Sequence, residues 1–105
     1  MYPPATAVQK QPKINAVVSE VVKELYPDVQ LIRYEIAQDW TGEWAVFFRV
    51  LLSDEASKRA NLRGIAPRVR RMISDRLDIP DLGMLPFFEF RSQSEQAEMK
   101  DPAWA

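Results

Sequence analysis

The sequence predicts an α+β domain in the order α-β-β-α(α)-β, with a three-stranded mixed sheet and helices on one face. Three observations carry that expectation. An amphipathic helical pattern starts at Lys13, two strand patterns flank turn residues at 38–43, and a third strand pattern at 85–90 follows a long helical stretch. Strands joined by a tight turn lie antiparallel, whereas strands joined through helix take a right-handed crossover and lie parallel. The sheet is therefore mixed, with its helical layer on one side.

Residues 1–12 hold three Pro and few large apolar groups, which predicts a flexible arm ahead of a domain spanning 13–91. Ile14, Val17, Val18, Val21, Val22 and Leu25 then fall at i, i+3, i+4, i+7, i+8 and i+11, on one helical face. Pro12 suits the first turn of this helix, and Pro27 ends it near Tyr26. Its many Val residues are weak helix formers, so packing has to hold it. Ile32, Tyr34 and Ile36 alternate with Arg33, Glu35 and Ala37, the period of a half-buried strand. Gln38 to Glu43 supplies turn chemistry, with Gly42 free to take positive φ.

The next strand, Trp44 to Leu52, is apolar on both faces apart from Arg49, which places it in the sheet centre. Ser53 is a natural N-cap, followed by Asp54 and Glu55 where the helix dipole favours acids. Gly64 and Pro67 interrupt the helix that follows, giving two expected pieces at 54–63 and 66–77. Ile65, Val69, Met72, Ile73 and Leu77 face inward. Residues 78–83 read as a loop, and Leu85 to Phe90 as a strand that Pro86 assigns to an edge. From Ser92 the composition turns polar, so 92–105 is expected to be a tail, helical around Glu95 to Lys100.

Composition narrows the function classes. A chain of 105 residues, 47% hydrophobic, fits one domain with a real but modest core. With no His and no Cys, zinc sites, Ser-His-Asp triads, Cys-His dyads and disulfides are all excluded. Ser19, Ser53, Ser57 and Ser74 sit in no activating motif, and there is no Gly-rich phosphate loop. Asp75, Asp78 and Asp81 match no calcium-loop spacing. The expectation is a non-enzyme with no catalytic residues, no metal, no cofactor and no small-molecule substrate. No apolar run approaches the ~18 residues of a membrane span, and Met1 to Pro4 lacks a secretion signal, so no membrane partner and a cytoplasmic location are expected.

Two surfaces stand out. Lys58, Arg59, Arg63, Arg68, Arg70 and Arg71 are six basic residues with no acid among them, in a chain whose formal charge is -1. At a helix–turn–helix junction they could position phosphates; as a solvated face, Arg71 would simply pair with Asp75. The overall pI near 5.4 weighs against a dedicated nucleic-acid binder. The other surface is aromatic. If helices cover one sheet face, Phe47, Leu51 and Phe87 lie on the open one, with Trp40, Trp44 and Tyr34 near it and Arg49 able to pair with Glu89. Trp104 is the remaining large aromatic, either an anchor for a partner or a dock onto its own domain.

The run Ala60-Asn61-Leu62-Arg63-Gly64-Ile65-Ala66-Pro67-Arg68-Val69-Arg70-Arg71, continuing through IAPRVRRMISDRLDIPDLGMLPFFEF, resembles the type II KH-like domain of the ribosome-binding factor A kind. The likeness is one of element order and spacing over roughly two-thirds of the chain. In that family a helix–kink–helix replaces the GxxG loop, and here Gly42, Gly64 and Gly83 likewise form no GxxG. The resemblance implies RNA binding of the ribosome-assembly type through the basic segment 58–71. The cytoplasmic domains of cation-efflux transporters share the element order but use His-containing metal sites that this chain cannot build. The residues themselves favour a small non-catalytic binding module acting through a protein partner or homodimerisation. Phe47, Leu51, Phe87 and Trp104 are its expected interface, and RNA binding is the alternative.

Overall fold

A strand that is apolar on both sides organises the chain. The computed structural model describes residues 5–105, and Trp44–Leu52 (β2) lies in the middle of its sheet, between Val29–Gln38 (β1) and Leu85–Ser92 (β3). The β1 and β2 strands pair antiparallel through the 38–43 turn, and β2 and β3 pair parallel. The fold is α+β with a mixed three-stranded sheet, as the element order predicts. In the turn, the Asp39 carboxylate accepts hydrogen bonds from the Thr41 backbone N–H (2.8 Å), the Thr41 hydroxyl (2.6 Å) and the Glu43 N–H (3.1 Å). Gly42 sits at φ 86°, a left-handed conformation that a side chain would strain.

Two long helices, Ala5–Leu25 (α1) and Arg59–Leu77 (α3), cover the face that carries Val46, Phe48, Val50 and Leu52. Ile14 and Val21 from α1 meet Val69, Ile73 and Leu77 from α3 over these strand residues, all fully buried. Each such aliphatic side chain contributes about 1.5–3 kcal/mol by leaving water. Arg76 of α3 bridges to Glu20 and Glu24 of α1 at the rim of this layer. Tyr34 also belongs to it: its ring packs on Phe48 and its hydroxyl donates to Asn15 Oδ1 at 2.6 Å.

Three boundaries differ from the sequence expectation. Residues 1–4 of the expected arm lie outside the described residues, but α1 already starts at Ala5 and carries Pro12 inside it. Pro12 is exposed, while one turn earlier Ala7 is buried and Lys10 pairs with Asp81 at 2.8 Å. Those tertiary contacts offset the backbone bond that proline removes. The second correction concerns the helical break. It falls at Lys58, whose extended backbone (φ −61°, ψ 140°) separates the single turn Asp54–Ser57 (α2) from α3. Gly64 and Pro67 both lie within continuous α3, because Ile65, Ala66 and Val69 on the same turns are held in the core. Ser53 caps α2 as expected, accepting from the Ala56 N–H at 3.1 Å.

The third correction is the tail. Residues 92–105 form a second capped helix, Gln93–Met99 (α5), and a 3-10 turn, Pro102–Trp104. Ser92 opens α5 with a reciprocal capping box to Glu95. A further single turn, Ile79–Leu82 (α4), occupies the expected 78–83 loop. Trp104 is only 3% exposed, so it docks on its own domain. Replacing a buried Trp by Ala typically costs about 3–5 kcal/mol. Trp104→Ala is accordingly expected to lower the urea midpoint by the equivalent of about 3 kcal/mol, while an unchanged midpoint would mean that the segment does not dock.

Candidate sheet-face interface

The face turned away from the helices carries Ala45, Phe47, Arg49 and Leu51 from β2. Leu31, Arg33, Glu35 and Ala37 flank them from β1, and Leu85, Phe87, Glu89 and Arg91 from β3. This face divides into two ends. At one, Leu51 lies between Leu31 and Arg91 in register. There the C-terminal segment crosses: the Arg91 guanidinium sits 4.3 Å from the Trp104 ring centroid, and Arg33 Nε donates to the Ala105 carbonyl at 2.8 Å. Arg91 also bonds Gln96 Oε1 at 2.9 Å and lies 3.5 Å from the Asp101 carboxylate. One guanidinium thus ties β3 to both parts of the segment through a hydrogen bond, an ion pair and a cation–π contact.

At the other end the face is aromatic and open. Phe47 and Phe87 stack with ring centroids 5.3 Å apart, and Trp40 tilts onto Phe87 at 5.5 Å. Trp40 is 82% exposed and Leu85 is 57% exposed. An indole held this far out of the fold gains little from burial, since most of its surface stays in water. A depression of about 280 Å³ lies beside Phe47, Arg49, Phe87 and Glu89. Arg49, directly opposite Glu89 in register, pairs instead with Glu35 on β1 at 2.9 Å. Glu89 consequently makes no ion pair among the described residues.

Four sequence expectations for this surface can now be placed. Phe47 and Phe87 form one unit, joined by Trp40. Leu51 lies at the end crossed by the C-terminal segment, and Trp104 is buried rather than offered to a partner. Tyr34 and Trp44 are on the helical side of the sheet, because their register positions share parity with Phe48. Leu85 was not singled out by sequence, although its alternation with Pro86 and Phe88 puts it on the Phe87 face.

The basic residues lie in a different layer. Lys58 pairs with Glu55 at 2.7 Å, and that hydrogen bond holds its amine pKa above the usual lysine value. Arg59, Arg63, Arg68, Arg70 and Arg71 make no ion pair among the described residues, and the alternative Arg71–Asp75 pair is not formed. Arg59, Arg63 and Arg70, at i, i+4 and i+11, share one flank of α3, where the Arg70 guanidinium lies 5.2 Å from the Phe90 ring centroid on β3. Arg68 turns to the opposite flank, toward Glu24 of α1, whose carboxyl pKa is lowered chiefly by its hydrogen bond to Arg76 and in lesser part by the charge of Arg68. It also borders a groove of about 430 Å³ with Asn61, Gly64 and Asp28. A phosphate in that groove would meet the Asp28 carboxylate as well as Arg68. Asp81 is taken up by Lys10, and no cluster of three or more metal-ligating side chains occurs among the described residues.

Comparison with known protein families, curated proteins and solved structures returns no match. The geometry therefore stands alone. No helix is long and apolar enough to cross a membrane among the described residues.

The C-terminal segment has an acid-sensitive anchor. Asp54 accepts from the Ser94 backbone N–H at 3.0 Å and from the Ser94 hydroxyl, and these bonds hold its carboxyl below the ordinary Asp range. A carboxyl depressed on folding contributes stability above its unfolded pKa and loses it as pH falls through the folded value. The anchor is therefore intact above about pH 4 and weakens below it. In NMR, the Trp104 indole resonance is expected to shift on acidification, and Ser94→Ala should move that transition to higher pH. An identical acid profile in Ser94→Ala would show that Asp54 does not anchor the segment.

Proposed function

We propose that the protein is a small non-catalytic binding module that engages a protein partner, or a second copy, through the aromatic end of its open sheet face. Trp40 carries this reading: it is 82% exposed yet seated on Phe87, which stacks in turn on Phe47. Rigid aromatic anchors of this kind supply large contact area at low entropic cost. Leu85 and the half-buried Phe87 extend the apolar centre, while Glu35, Arg49 and Glu89 supply a polar border. The proposal takes the module to be cytoplasmic.

Nucleic-acid binding is a second reading, supported by the five arginines of α3 that lack ion pairs among the described residues and by the resemblance to KH-like domains. Those arginines and the aromatic rings occupy opposite layers of the sheet. Phosphate contact and base stacking would therefore need a strand to pass around the β3 edge. A protein partner needs only the aromatic face itself.

Trp40→Ala separates the readings. Because the indole is almost wholly exposed, the variant should keep its stability within about 0.5 kcal/mol of the parent. If the face binds, light scattering on protein purified under native conditions should show a stoichiometric complex or dimer that the variant weakens at least tenfold, the range of an interface hot spot. A complex that survives Trp40→Ala unchanged would refute the aromatic interface. Binding to single-stranded RNA that falls steeply with salt, and is lost in Arg63→Glu, would favour the second reading.

A further inference from the structure

From the surroundings of β3 we infer a specific class of partner, resting on the protein-binding reading: an extended peptide of alternating apolar and acidic residues that adds a fourth strand at the β3 edge. The sheet order is β1-β2-β3, so β3 presents one side without a strand neighbour among the described residues. Outside its ladder with β2, no backbone N–H or C=O from Phe87 to Phe90 bonds to another group among the described residues. Such a row of free donors and acceptors is a template for strand addition. Pro86 removes one donor at the start and leaves Phe87 to Arg91 as the usable length.

What flanks this edge differs on its two sides. The open face beside it bears Phe87, Leu85 and Trp40. The helical side bears the Arg59, Arg63 and Arg70 flank of α3, fixed toward β3 by the Arg70–Phe90 contact. Side chains of a strand alternate between faces. An added strand would therefore set every second side chain beside the aromatic rings and the intervening ones below the arginines. Apolar residues suit the first set and Glu or Asp the second, since carboxylates would neutralise guanidinium groups that have no ion pair among the described residues.

The same charges select against a second copy at this edge. Two β3 strands paired about a two-fold axis form one continuous sheet with both α3 helices on the same side. Their arginine flanks would then face each other, and like charges at such short range disfavour the pairing. A partner carrying acids escapes that penalty.

The test uses the full chain and labelled ten-residue peptides in fluorescence polarisation. One peptide alternates Val and Glu; a second alternates Val and Lys; two further Val/Glu peptides are N-methylated at the odd or the even positions. The Val/Glu peptide is expected to bind and the Val/Lys peptide not to. One N-methyl pattern should abolish binding while the other spares it, because only alternate N–H groups of an added strand meet the edge. Arg59→Glu with Arg63→Glu, two exposed residues without an ion pair among the described residues, should weaken the Val/Glu peptide about tenfold with the fold unchanged by circular dichroism. Equal binding of the Val/Lys peptide, indifference to both N-methyl patterns, or no binding at all would overturn the strand-addition inference. If that happens while Trp40→Ala still dissolves the native complex, the aromatic interface stands without it. A dimer of the full chain that the Val/Glu peptide dissociates would overturn the choice of occupant, as would a single-stranded RNA that displaces the peptide.

Discussion

A central strand apolar on both faces sets the terms for everything around it. β2 presents Val46, Phe48, Val50 and Leu52 to one side and Ala45, Phe47 and Leu51 to the other, so neither side of the sheet can be left to water without cost. Helices α1 and α3 cover the first side completely. The second is covered piecemeal. The C-terminal segment closes one end, the Arg49–Glu35 pair occupies the middle, and the other end is left with Trp40 over Phe87 and Phe47. The candidate interface is the part of this requirement that the chain's own residues leave unmet.

Charge is distributed with the same asymmetry. Acids and bases nearly balance over the chain, yet five of the six arginines of α3 stand without ion pairs among the described residues, while Lys10, Arg49, Arg76 and Arg91 are each paired. The paired set ties elements together: α1 to α4, β1 to β2, α1 to α3, and β3 to the C-terminal segment. The other five arginines of α3 make no such tie among the described residues, apart from the stacking of Arg70 on Phe90. Positive potential therefore collects on the outer flank of the helical layer, one strand edge away from an aromatic face. That neighbourhood gives the β3 edge two chemically distinct sides.

Residues whose role is local were legible in advance. The period-two alternation of β1 and β2, the Asp39–Gly42 turn, the Ser53 cap and the inward set Ile65, Val69, Ile73 and Leu77 each follow from spacing over a few residues. Phe47 and Phe87 were legible as sharing a face, because parity along a strand fixes which side a residue takes. The start of α1 was not. Pro12 reads as a boundary, and only the burial of Ala7 and the Lys10–Asp81 pair, between residues 71 apart in sequence, carry the helix past it. The break at Lys58 was hidden for a related reason: Gly64 and Pro67 are stronger local breakers, and core contacts on adjacent turns override them.

By itself the sequence determined the fold class, the strand order and the absence of imidazole and thiol chemistry, since these depend on composition and on short-range periodicity. Only the tertiary structure decided that the polar C-terminal residues fold back, that Trp104 is core and Trp40 is surface, and that the arginines and the aromatic rings lie on opposite layers. Two tryptophans look alike in a sequence. Which one is buried depends on Arg91 closing over the C-terminal segment and on Arg33 and Asp54 bonding residues 72 and 40 positions away, and no local pattern records that.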